Sequence, residues 1–324
     1  MQAFAGLGRY EVVAFVRGGQ AAAILRPSGV RVEQIREPLA LLWEQVGMMR
    51  EARRLGLDAL LTLGDRLPVL GWPRVVVWLF ELPTHRMATT TGLWNRGSDV
   101  FTALLWRRSM RRAARVVAGS GATANELEEA VPALRGQVPV IYPGLGGDFS
   151  PAPRPEESRY VFHLGSADPR DNTESVVGAY RLARQRIRGP VRLVIGGDLG
   201  GRTFEGIETT GRLSEADLAR WYRGATAYLD ATLYEGFGYQ PLEAMASGAP
   251  VIASSASSIP EVVGDAGLLC DPHSPASIAD ALVRVLEEPG LAAAMRAKGL
   301  ARAATFTWER TAVAFADLLD EVVG

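Results

Sequence analysis

Apolar and polar positions fall into short alternating blocks along this chain. EVVAFVR (11–17), ALLTL (59–63) and RVVVWLF (74–80) are β-branched or apolar runs of strand length, and Gly18-Gly19 closes the first. Helical periodicity lies between the first two, over 38–55, and again over 99–114, which leads into the short strand RVVAGS (115–120). TANELEEAV (123–131) reads as a helix, with Thr123 as N-cap and Glu126 at capping-box spacing. SPAPRPEES (150–158) is rich in proline and charge and reads as a linker. After it the alternation sharpens: strands YVFHLGS, VRLVIGG, AYLDAT and PVIAS, with helices near 173–185, 215–224, 275–286 and 290–304. The last stretch, TWERTAVAFADLLDEVV, is amphipathic and opens on Thr307 as N-cap.

Strands that alternate with helices imply an α/β protein of two doubly wound parallel sheets. The expected organisation is a first Rossmann-like domain over 1–149, a linker over 150–158, a second domain over 159–304 and a terminal helix over 305–324. The length of 324 residues accommodates two such cores.

Composition narrows the function classes. With 35 basic against 36 acidic residues there is no overall pull toward nucleic acid, and none is expected as a partner. The single cysteine, Cys270, excludes an internal disulfide and fits a cytoplasmic protein. No apolar run reaches the roughly 18–20 residues that a membrane span needs. The N-terminal MQAFAGLGRYEVV lacks the features of a signal peptide, so none is expected there. FTALLWRRSMRRAARVV (101–117) carries Trp106, Arg107, Arg108, Arg111 and Arg112, which suit either a solvated helix face or a peripheral contact with anionic lipid at the inner membrane face.

The richest chemistry lies in YEGFGYQPLEAMASGAP (234–250). Gly236-Phe237-Gly238 permits a tight turn, and Pro241 suits the first helical position, which would put Glu243 at the third. Strand, glycine turn and helix start together aim free N–H groups and the positive helix end at one point, which suits a phosphate. Glu235 and Glu243 can flank that point, and carboxylates are good acceptors for sugar hydroxyls. Taken singly, Glu243 is better read as an ordinary first-turn cap.

As a whole, this stretch resembles the signature of retaining glycosyltransferases of the GT-B fold, the group 1 family also called family 4. Glu235, Gly236, Phe237, Gly238, Pro241, Glu243, Ala244, Met245, Ala246, Gly248, Pro250 and Val251 carry the match. HLGSADPRDN (163–172), TTGRLSEADLARWYRGATAYLDAT (209–232) and SSIPEVVGDAGLLCDP (257–272) extend it. VAGSGATANEL (117–127), VIYPGLGGDF (140–149) and TFTW (305–308) match the end of the first domain, the hinge and the returning helix. The resemblance covers the chain well from about Arg74 onward and poorly before it.

The resemblance implies two Rossmann-like domains facing a cleft, the first one reduced here. It implies a nucleoside-diphosphate sugar, UDP- or GDP-linked, as donor. The hexosyl unit would pass with retention to a glycan, a lipid-linked or a small-molecule acceptor; the sequence carries no Asp-x-Asp metal motif, so no metal or other cofactor is expected. Glu235 would hold donor-sugar hydroxyls and Glu243 the ribose. Gly165, Ser166, Gly236, Phe237, Gly238, Tyr239 and Gln240 would meet phosphate and sugar, and Gly211 and Arg212 would lie near the base.

Three departures stand out. The phosphate loop reads Pro169-Arg170-Asp171-Asn172, with Asp171 where the family has a lysine; Arg170 either turns inward to replace it or stays solvated. The family's His-Asp pair falls on Phe80 and Glu81, and His85, a few residues on, is the candidate to meet donor or acceptor, a solvated loop histidine being the plain alternative. The family's opening glycine-rich loop is matched only by Gly6-Leu7-Gly8-Arg9-Tyr10. These departures keep a second function open, a non-catalytic sugar-nucleotide-binding or regulatory subunit. His163, inside a strand, reads as structural.

Overall fold

The computed structural model describes residues 1–25, 28–37, 42–63, 74–83, 106–152 and 159–324. The chain divides into two compact units, Met1–Gly144 with Thr307–Gly324, and Leu145–Phe306.

The first unit contains α1 (Gln2–Gly6), β1 (Val13–Val16), α2 (Gly19–Leu25), β2 (Arg31–Gln34), α3 (Met48–Leu55), β3 (Leu60–Thr62), β4 (Val75–Leu79), β5 (Arg115–Ala118) and α4 (Gly121–Ala130). The C-terminal helix, Trp308–Val323, also belongs to it. β1 pairs with β2, and β3, β4 and β5 form a second sheet in that order, every pairing parallel. β4 is buried along its whole length, as its unbroken VVVWL run requires of a strand covered on both faces. Its alternation divides the core. Val75, Val77 and Leu79 pack with Met49, Ala52, Trp106, Met110 and Leu127 on one side. Val76 and Trp78 pack with Val117, Ile141, Phe315 and Leu319 on the other. The Trp78 indole N–H donates to the Ile141 carbonyl at 3.1 Å, and its ring meets Phe315 at 4.8 Å.

Two expectations are corrected in this unit. Helix α4 starts at Gly121, because Ser120, not Thr123, is the N-cap and accepts from the Thr123 N–H at 3.1 Å. Trp106 is buried in the core, so it has no lipid-facing ring; Arg107, Arg108, Arg111 and Arg112 are exposed, the last two in a turn after helical residues 106–110. In the Gly6–Tyr10 stretch, the partial match to the family's glycine-rich loop, α1 ends at Gly6, Arg9 pairs with Asp317 at 2.8 Å, and Asp320 takes both Arg9 and the Tyr10 hydroxyl. That segment is tied to the C-terminal helix of its own unit.

The second unit contains β6 (Tyr160–Leu164), α5 (Thr173–Arg184), β7 (Arg192–Gly196), β8 (Glu208–Gly211), α6 (Glu215–Gly224), β9 (Ala227–Asp230), α7 (Tyr239–Ala246), β10 (Val251–Ser254), α8 (Ile259–Val263), β11 (Leu268–Cys270), α9 (Pro275–Glu287) and α10 (Leu291–Ala303). Its sheet is wholly parallel in the order β11-β10-β9-β6-β7-β8. This is the doubly wound order, running outward in both directions from a switch point between β6 and β9. Val161, Leu193, Ile195, Leu229 and Ile252 pack against Val176, Ile278 and Leu282 of α5 and α9. Aromatic rings of Phe162, Tyr222 and Tyr228 fill between sheet and α6, with Tyr222 and Tyr228 edge to face at 5.1 Å.

Candidate functional site

In a doubly wound sheet, ligands bind beyond the carboxyl ends of the strands at the switch point. Here two loops leave those ends: 165–172 after β6 and 231–238 after β9.

The first loop begins on a forced glycine. The Gly165 N–H donates to the Gly196 carbonyl at 3.0 Å, and a Cβ on Gly165 would stand 2.6 Å from Thr173 Oγ1. Gly197, at φ +104°, passes so close that its Cβ would lie 1.9 Å from the Gly165 carbonyl oxygen. The buried His163 stands behind the loop, with Nδ1 2.9 Å from the Leu229 carbonyl and Nε2 3.2 Å from the Thr173 hydroxyl. A carbonyl only accepts, so the proton is assigned to Nδ1. Burial lowers the pKa of His163, which keeps it neutral and structural.

Ser166 Oγ accepts from the Asp168 N–H at 3.0 Å, and Asp168 caps the turn over Pro169–Asp171. Arg170, the candidate phosphate ligand, binds Asp168 Oδ2 through Nε and an Nη at 3.0 and 2.8 Å. The guanidinium in turn holds the Asp168 carboxyl below the ordinary range. A carboxylate two residues away captures the cation within its own turn. The Arg170 carbonyl accepts from the Thr232 hydroxyl at 3.0 Å and the Leu233 N–H at 2.8 Å, which joins the two loops. Asn172, left-handed at φ 56°, adds bonds from Nδ2 to the Ala231 and Pro272 carbonyls at 2.9 and 2.8 Å.

The second loop carries Glu235 into the glycine turn. Its carbonyl accepts from the hydroxyls of Ser257 and Ser258 at 2.6 and 2.7 Å. Phe237 is buried against Tyr239 and Phe306. Gly238 sits at φ +107°, and a Cβ there would lie 2.8 Å from Ile259 Cδ1. Gly238 is the N-cap of α7, so the helix begins at Tyr239, two residues before the expected start. Pro241 is therefore its third residue and Glu243 its fifth. Proline is tolerated there because the first four N–H groups have no partner within the helix. No side chain caps α7, and the Tyr239 and Gln240 N–H groups stand at its positive end.

Two buried tyrosines hold the polar residues of α7 from below. The Tyr222 hydroxyl donates to Glu243 Oε2 at 3.3 Å, and the Tyr228 hydroxyl to Gln240 Oε1 at 3.0 Å. Burial pushes the Glu243 carboxyl up to about 7, the Tyr222 bond opposes this, and Glu215 adds to it. Sequence reasoning missed both tyrosines, because their partners lie 21 and 12 residues away in the chain. It also missed Asp230, buried at the end of β9 with its carboxyl pushed up to about 6 by burial. Asp230 Oδ1 accepts from the Thr232 N–H at 3.0 Å.

Gly211 ends β8 in a left-handed conformation and its carbonyl accepts from the Gly197 N–H at 2.9 Å, linking it to the Gly165 loop. Arg212 is exposed and bonds Asp198 at 3.2 Å. The second unit thus brings the loops carrying Gly165, Ser166 and Arg170, Glu235 to Gln240 and Glu243 to the same end of one sheet. His85 lies outside the described residues. Phe80, where the resemblance has histidine, has its carbonyl bonded by the Thr123 hydroxyl at 2.8 Å. Among the described residues no group of three His, Cys, Asp or Glu side chains could hold a metal, and no helix is long and apolar enough to cross a membrane.

Comparison with known proteins agrees with this geometry. The model of the family "Glycosyl transferases group 1" matches residues 158–288. Over 162 residues the chain is 35% identical to O-antigen chain mannosyltransferase B of Escherichia coli, covering 46% of this chain and 42% of that one. The chain spans less than two thirds of the length of the curated relatives it matches. Among solved structures, sucrose-phosphate synthase from Thermosynechococcus elongatus superimposes with a TM-score of 0.77 at 20% identity, covering 99% of this chain and 91% of that one. Anabaena Alr3699/HepE in complex with UDP-glucose does so with a TM-score of 0.73 at 16% identity, over 99% and 94%. The fold is therefore GT-B, and residues 158–288 are similar to the glycosyl transferases group 1 family.

Proposed function

We propose that this chain is a glycosyltransferase that moves a hexosyl unit from a nucleoside-diphosphate sugar, with retention of configuration, to a glycan, lipid-linked or small-molecule acceptor. The observation that carries the reading is the convergence at the β6/β9 switch point of the uncapped α7 start and the Glu235 and Glu243 segments. The diphosphate sits at the N–H groups of Tyr239 and Gln240, where the helix dipole favours negative charge. Glu243 takes the ribose diol, and Glu235 the hydroxyls of the donor sugar. The bond between the anomeric carbon and the leaving phosphate oxygen breaks, the new bond to the acceptor oxygen forms, and the acceptor proton passes to the leaving phosphate. The helix start and Arg170 stabilise the charge that develops on the diphosphate, so the reading calls for no metal. A mannosyltransferase among the relatives and a UDP-glucose complex among the neighbours favour a hexose donor.

The pairing of Arg170 with Asp168, together with Asp171 at the lysine position, favours a second reading, a subunit that binds sugar nucleotide without turning it over. Incubation with UDP- and GDP-hexoses, followed by NMR of the product anomer, separates the two. A retained linkage is expected. An inverted one would refute retention, and donor binding without turnover would favour the subunit.

A further inference from the structure

Three consecutive residues ahead of and opening α8 close on the glycine turn. Ser257 and Ser258 each donate a hydroxyl to the Glu235 carbonyl, at 2.6 and 2.7 Å, and Ile259 Cδ1 fills the space against Gly238 that a Cβ would need. Two features show that the serines are committed to this contact. Ser257 stands at φ 55°, one of two non-glycine residues with positive φ among those described. Such a backbone disfavours a Cβ, and glycine would adopt it without strain. Ser258 is the N-cap of α8 and is fully buried, yet its side chain makes no cap bond. A serine at that position ordinarily accepts from its own helix; this hydroxyl instead serves a carbonyl 23 residues back.

We infer that Ser257 and Ser258 are positioning residues that fix the Glu235 backbone, and through it the side chain offered to the donor sugar. The assignment rests on the glycosyltransferase reading above. Two donors on one carbonyl, with Ile259 wedged beneath Gly238, leave Glu235 little freedom to rotate away from its place ahead of α7. A carboxylate that must meet sugar hydroxyls gains its effect only when held in that geometry. Both hydroxyls are directed to the Glu235 carbonyl, so their loss acts on the sugar half of the donor and leaves the nucleotide half as it is.

The test uses Ser257→Gly, Ser258→Ala and their combination in the full chain, with Ser258→Thr as the variant that keeps the hydroxyl. UDP and GDP binding is measured by calorimetry, turnover with the corresponding UDP- and GDP-hexoses, and thermal midpoints alongside. Ser257→Gly is the informative variant, because relief of the left-handed strain keeps or raises its thermal midpoint. The expected result is at least a tenfold fall in kcat for Ser257→Gly and more for the double variant. Nucleoside-diphosphate Kd stays within twofold of wild type, and Ser258→Thr recovers most of what Ser258→Ala loses. Wild-type kcat in the double variant would overturn the positioning role alone. Absence of turnover in the wild type itself would overturn the glycosyltransferase reading and the role with it.

Discussion

Replacing Glu243 by glutamine is expected to make the second unit more stable at pH 8. The carboxyl is driven from an ordinary value of 4.5 to about 7 by burial, against the opposing bond from Tyr222. The folded state therefore binds this proton more tightly than the unfolded chain does. The resulting penalty is absent below pH 4.5, grows between 4.5 and 7, and is complete above 7. At 1.36 kcal/mol per unit the full shift corresponds to about 3 kcal/mol, and water at the partly exposed end of the side chain reduces this to about 2 kcal/mol. Glutamine mimics the protonated acid in shape and keeps an acceptor for the Tyr222 hydroxyl. Its advantage is thus about 2 kcal/mol at pH 8 and less than about 1 kcal/mol at pH 5. Urea unfolding at both values, read by hydrogen exchange on peptides from Leu145–Phe306, follows this unit by itself. Equal stabilisation at both pH values, or none at pH 8, would refute the argument that burial of an ionised carboxylate is what costs stability here.

Two further substitutions probe the loops. Gly197→Ala places a Cβ 1.9 Å from a backbone oxygen at φ +104°, so a loss of about 3 kcal/mol or more is expected in the same unfolding assay, and a loss under about 1 kcal/mol would show that the loop adjusts freely. Asp168→Asn keeps the acceptor for the Arg170 N–H and removes the charge that captures its guanidinium. Nucleoside-diphosphate binding is expected to tighten by about threefold to tenfold at low salt, and unchanged or weaker binding would argue against Arg170 as a phosphate ligand.

Much of this molecule can be read from local pattern. The unbroken run in β4 and the strand-helix alternation after residue 158 give the sheets, because a buried parallel strand must be apolar on both faces. The Glu235–Gly238 turn is legible because glycine is the cheap solution for φ +107°. What local pattern cannot carry is partner choice across the chain. Trp106 among arginines has the composition of a membrane face, yet its ring goes into the core beside Leu79 and Met110. Arg9 and Tyr10 lie in the partial match to the family's glycine-rich loop, and their partners are carboxylates more than 300 residues away. Pro241 marks a helix start only to within a turn, since any of the first positions tolerates a missing N–H. The serines on Glu235 and the tyrosines on Gln240 and Glu243 carry no local signature at all.

Calorimetry of UDP and GDP with wild type and Glu243→Ala probes whether a nucleotide-sugar site lies at the start of α7. Clear binding of one nucleotide is expected, weakened at least tenfold by the substitution. Binding of neither, or equal binding to both proteins, would contradict it.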